Sequence, residues 1–154
     1  MNHEIIINKT QNFLDKIEGK TLKEKKLFHF RTVINFSYGI KYMKTKKADS
    51  LKMLLMNYYD ELEGLDYSIL NKQESWSLYK KYLHPIGKFL IDEKDFRSRA
   101  SIYIYIHLGI LVDFLSYYFF NYKFYLLASL IMIFVGYYKL EIKKKEKKYF
   151  NPFW

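Results

Sequence analysis

The chain has 154 residues, a formal charge of +10, an apolar half and no cysteine. That length allows one small domain with an appendage, and the missing thiols exclude disulfides and a thiol-rich zinc site. Only Arg31, Arg97 and Arg99 among the 26 basic residues are arginines; lysine lacks the planar fork that suits arginine to phosphates, so nucleic-acid binding is disfavoured.

Residues 2–18 are expected to form a first helix, with Ile6, Phe13 and Ile17 near one face and Gly19 at its end. Thr21-Leu22-Lys23-Glu24 matches a capping box, in which hydroxyl and carboxylate each satisfy a free backbone amide. It predicts a second helix carrying Leu27, Phe30, Ile34 and Tyr38. Residues 34–42 also alternate as a strand would, but the capping box and the lack of a partner strand favour helix. Asp49-Ser50 is expected to cap a third helix over 51–63, with Gly64 in the left-handed closing position. A fourth helix, from Ser68 or Ser75 to Leu83, should break at Pro85, which lacks an amide and restricts His84. Residues 86–99 are amphipathic, and Asp92-Glu93-Lys94-Asp95 reads as a charge cluster at a helix start.

Residues 100–120 form an apolar run, Asn121-Tyr122-Lys123 interrupts it, and residues 124–142 resume it. A bilayer core about 30 Å thick needs about 20 apolar residues in a helix. The first run has that length, and the second has it only if Leu140 and Ile142 count. The sequence therefore predicts an all-α protein with three parts: a cytosolic helical domain (1–99), a two-helix transmembrane hairpin (100–142) and a basic, aromatic tail (143–154). Residues 1–10 do not read as a cleavable signal, so the first span is expected to direct insertion. Arg97 and Arg99 precede the hairpin, Lys143, Lys144, Lys145, Lys147 and Lys148 follow it, and the turn carries only Lys123. By the positive-inside bias both termini are cytoplasmic, with the hairpin in a bacterial inner (cytoplasmic) membrane.

Asp113 is the only acid between Ala100 and Leu140. An ionisable residue in a span is costly and faces other helices or water. Gly109, Asp113 and Ser116 share one helix face, and a hairpin folded at 121–122 would set Gly109 level with Val135 and Gly136, Asp113 near Ser129 and Met132, and Ser116 near Ala128. Small residues let helices approach closely, and Ser129 could donate to Asp113. Two readings stay open: a seam that holds one hairpin together, or a polar path shared by several copies. His107, six residues before Asp113, is too far around the helix to touch it; it is either bonded to Tyr103 or proton-sensitive.

Residues 20–47 carry nine basic residues against Glu24, and residues 48–75 reverse the sign. Such a split suits a solvated surface, anionic lipid headgroups or pairing between copies. The four histidines are scattered, and no metal-ligand pair or glycine-rich phosphate loop occurs; no cofactor, metal or enzymatic activity is expected. In layout, a small helical head on a two-span hairpin, the chain is similar in outline to small bacterial membrane effectors of antiphage systems. The expected function is a membrane effector that forms homo-oligomers and permeabilises the lipid bilayer. The alternative is a tether whose head docks a cytosolic protein partner.

Overall fold

The computed structural model describes residues 3–65, 70–120 and 127–151. Among the described residues the protein is helical apart from loops and two two-residue strands, and the chain divides into two compact units.

The first unit comprises residues 1–96 and returns at Phe150. Its helices are α1 (His3–Ile17), α2 (Leu22–Leu27), α3 (Phe30–Ile40), α4 (Lys46–Glu63), α5 (Lys72–Leu78) and α6 (His84–Lys94). α4 is central and packs on α1, α3, α6 and the stretch after α5. Ile6 and Ile17 of α1, Phe36 and Ile40 of α3, Leu55 and Tyr58 of α4, and Leu83 and Ile86 are all essentially inaccessible. Fully burying one such side chain stabilises by about 1.5–3 kcal/mol. The buried Thr10 and Tyr59 hydroxyls share a hydrogen bond of 2.7 Å between α1 and α4. Outside it, Lys9 pairs with Asp60 at 2.7 Å and Lys16 with Glu63 at 3.2 Å. Both pairs are solvated, so the apolar contact dominates the interface.

Several local expectations are corrected. The capping box at Thr21 and Glu24 is present, but the helix it starts ends at Leu27, and His29 is left-handed (φ 46°) before α3 begins. α4 starts at Lys46, earlier than expected, because Thr45 accepts from the Ala48 amide. Gly64 closes α4 in a right-handed conformation (φ −81°). α5 begins at Lys72 under a capping box of Asn71 and Glu74; the earlier start at Ser68 lies outside the described residues.

Pro85 does not break the chain's course. Residues Tyr79–Leu83 form a π-helical turn in which the His84 amide reaches back to the Tyr79 carbonyl. The wider turn makes room for a ring that would otherwise collide with the carbonyl four residues back, and α6 follows directly with proline in its first turn. The cluster at 92–95 therefore sits at a helix end. Asp95 is left-handed there (φ 55°), and the Phe96 amide returns to the Leu90 carbonyl at 3.1 Å.

The second unit runs from Arg97 to Tyr149. It contains β1 (Arg97–Ser98), a short 3₁₀ turn, α7 (Ile102–Phe120) and α8 (Leu127–Lys145). β1 pairs with β2 (Tyr149–Phe150), and the Arg97 amide donates to the Lys148 carbonyl at 2.9 Å. α8 continues through Lys145, so the basic tail expected from residue 143 begins as helix. Phe150 is buried in the head beside Phe36 (ring centroids 5.0 Å apart), and the Asn151 carbonyl accepts from Thr32 at 3.0 Å.

Among the described residues, one helix is long and apolar enough to cross a membrane: Arg99–Phe119, 21 residues. α8 does not reach that measure over its described residues, since its last third carries Lys139, Glu141, Lys143, Lys144 and Lys145.

Candidate functional site

α7 and α8 pack against each other in antiparallel sense, and their backbones lie close together at Gly109. A Cβ at that position would lie 2.6 Å from the Ser129 Cα. The obstacle is backbone, so only glycine permits this spacing. One turn further along α7, the Asp113 carboxylate meets the start of α8. Oδ1 accepts from the Ala128 amide and Oδ2 from the Ser129 amide, both at 2.9 Å. The Ser129 hydroxyl also donates to Oδ2.

The first amides of a helix have no partner within it and carry its partial positive charge. Ala128 and Ser129 hold two of those amides, and Asp113 satisfies both from the neighbouring helix. An N-cap residue normally does this from the preceding position in its own chain segment. Sequence reasoning placed Asp113 near Ser129 but missed the bonds to backbone.

The other seam residues are placed differently from the expected register. Gly136 is buried and faces Tyr105, whose ring would lie 3.0 Å from an added Cβ. Gly109 and Gly136 therefore do not face each other; each receives a different part of the opposite helix. Residues 121–126, including the expected turn and the expected start of the second helix at residue 124, lie outside the described residues. Ser116 is half-buried and is not among the donors to Asp113. Met132 is half-buried and likewise takes no part in that set.

His107 is exposed, and its Nδ1 donates to the Tyr103 carbonyl at 2.6 Å, a bond within α7. It does not join Asp113. At the other end of the pair, Arg97 and Arg99 are exposed beside the start of α7. Lys143 pairs with Glu146 at 2.8 Å, Lys144 pairs with Glu141, and Lys148 lies 3.9 Å from Glu146. Lys145 and Lys147 are exposed. Since Arg97 is bonded to Lys148, both basic clusters gather at one end of this unit.

In the head, one group with strongly altered chemistry is His29, which sequence reasoning did not single out. It is 4 % exposed, and its Nε2 lies 3.1 Å from the Ser75 hydroxyl and 3.3 Å from the Ser75 carbonyl. The Ser75 hydroxyl donates to the Leu27 carbonyl at 2.5 Å, so the ring nitrogen is the donor toward serine. Burial holds the imidazole pKa down to about 4. Tyr79, whose ring lies 5.0 Å from the imidazole, is pushed up to about 12 by the same exclusion of water. Among the described residues no three His, Asp or Glu side chains converge where they could hold a metal ion.

No protein-family model, curated protein or solved structure matches the chain.

Proposed function

We propose that the chain is a non-enzymatic integral protein of a bacterial cytoplasmic membrane that assembles with copies of itself and perturbs the bilayer. Both ends of its helix pair would lie on the cytoplasmic side. The apolar surface of α7 supports insertion: Ile104, Leu108, Leu111, Phe114, Leu115 and Phe119 are all exposed, a coat suited to lipid rather than water. The basic clusters at one end of the pair support the orientation.

The observation that carries the reading is the start of α8 beside Asp113. Asp113 lies eleven residues into α7, about 16 Å along its axis. With Arg99 at the interface, three residues before α7, Asp113 lies about 21 Å into a hydrocarbon core about 30 Å thick. A helix start at such depth sets polar backbone where lipid cannot satisfy it, and such backbone persists only under cover of protein or water. Neighbouring copies supply that cover. The apolar character of α8 ends at Tyr138, where Lys139 and Glu141 follow, so the second span is short on that side and a cluster of these pairs would thin the bilayer.

Dye leakage from liposomes containing the full-length protein tests this. Leakage should rise with protein density and fall in Asp113→Leu that still resists carbonate extraction. No leakage, or equal leakage from the variant, ends the effector reading. One observation favours a second reading, a tether whose head docks a cytosolic partner. Both Asp113 oxygens accept hydrogen bonds within their own helix pair, so the carboxylate needs no shared lumen. A tether would leave liposomes sealed and would lose function through head substitutions alone.

A further inference from the structure

We propose that the turn joining α3 to α4, together with the last turn of α3, is a headgroup site for anionic phospholipid. This rests on the reading that α7 lies in a bilayer. Lys41, Lys44, Lys46 and Lys47 fall within seven residues, and the next acid is Asp49. Tyr38 and Tyr42 are exposed to 50 % and 68 %, and the Lys41 ammonium lies over both rings, 4.2 and 4.6 Å from their centroids. The Lys47 ammonium lies 4.7 Å from the Phe89 ring. Aromatic faces thus hold two cations in place while leaving their outer sides open to a phosphodiester.

The turn is built rather than loose. Lys52 is buried beneath it, 3 % exposed, and donates to the Met43 carbonyl at 2.5 Å. Thr45 caps α4 through the Ala48 amide at 3.1 Å.

Position supplies the second argument. Gly39, between Tyr38 and Lys41, is so close to Phe96 that an added Cβ would lie 2.9 Å from the ring. Phe96 is the last residue of the head, and α7 begins six residues later, at most about 20 Å of extended chain. The returning chain enters the head at Phe150, against Phe36 of α3 and Gly87 of α6. Both crossings therefore leave the head beside α3 and α6.

Lipid fits this surface better than RNA. Tyrosine suits the headgroup layer, with an apolar body and a polar tip. The Tyr38 and Tyr42 rings already carry an ammonium, where base stacking would need an open face. Lysine donates to single phosphates as a point charge, without the fork used for bidentate recognition.

The test places the full-length protein in nanodiscs of phosphatidylcholine alone or with about 30 % phosphatidylglycerol and follows amine-reactive labelling of each lysine by mass spectrometry. Labelling of Lys41, Lys44 and Lys47 should be about fivefold slower in the anionic discs, and the difference should vanish near about 0.5 M salt. Lys23 and Lys26 serve as internal controls, since α2 precedes α3 at the end away from the turn; their rates should not change. A triple substitution, Lys41→Gln, Lys44→Gln and Lys47→Gln, should still incorporate while its Lys46 labels equally in both discs. Equal labelling of the native turn in both discs overturns the proposal, as does slowing by poly(U) RNA with none by anionic lipid. Failure to incorporate into any disc would instead refute membrane insertion itself.

Discussion

Lowering the pH from 7 toward 4 should destabilise the head through His29. Its imidazole is 4 % exposed and held neutral in the fold, with a pKa pushed from the ordinary 6.5 down to about 4 by burial. In the unfolded chain the ring regains its ordinary value, so between pH 6.5 and 4 the unfolded state binds the proton and the folded state does not. The contribution is complete above pH 6.5, declines as pH falls, and is gone below about 4. Two and a half pH units correspond to about 3 kcal/mol, a large share of the 5–15 kcal/mol typical of a small domain. Urea unfolding of the intact protein in detergent, followed by tryptophan fluorescence, would measure it. Trp76 is a suitable reporter because it stacks on Tyr79 with centroids 5.2 Å apart. His29→Asn is the control, since asparagine tolerates the left-handed backbone there and does not titrate. Parallel stability losses in native protein and variant between pH 6.5 and 4.5 would refute the reasoning.

Gly109→Ala should force α7 and α8 apart at Ser129 and destabilise their pairing by about 1–3 kcal/mol, read as a loss of crosslinking between cysteines introduced on the two helices of this cysteine-free chain. Asn71→Ala removes an acceptor serving the Gln73 and Glu74 amides, both at 2.9 Å, and should lower the head's stability by about 1 kcal/mol in the same urea titration. Lys52→Met fills similar space but leaves the Met43 carbonyl without its ammonium; a loss of about 1–3 kcal/mol is expected, and an unchanged urea midpoint would show that water replaces the donor.

Elements set by neighbouring residues were legible in the sequence: the Thr21 capping box, the apolar face of α1 and the long run that became α7 all answer to local pattern. The break at His29 was not. It depends on the Tyr58 hydroxyl donating to the Phe28 carbonyl at 2.8 Å and the Ser75 hydroxyl donating to the Leu27 carbonyl. Those donors lie 30 and 48 residues away, and they satisfy carbonyls that a continuous helix would have used. Pro85 misled in the opposite direction. The local rule predicts a break, yet one π-helical turn accommodates the ring, because buried Tyr79, Tyr82 and Leu83 anchor that turn in the core.

Asp113 joins two local defects. The apolar run contains a carboxylate that needs donors, and the Ala128 and Ser129 amides in the first described turn of α8 need acceptors. Either defect alone is unfavourable: an acid in an apolar segment needs donors, and a helix start needs acceptors. Packed together, each supplies what the other lacks, and Gly109 sets the spacing that allows them to meet. Three residues from two helices then behave as one unit, so the effects of Gly109→Ala and Asp113→Leu should not add. Once an alanine has displaced α8, removing the carboxylate should cost little more. The same contacts fix the register of α8 along α7.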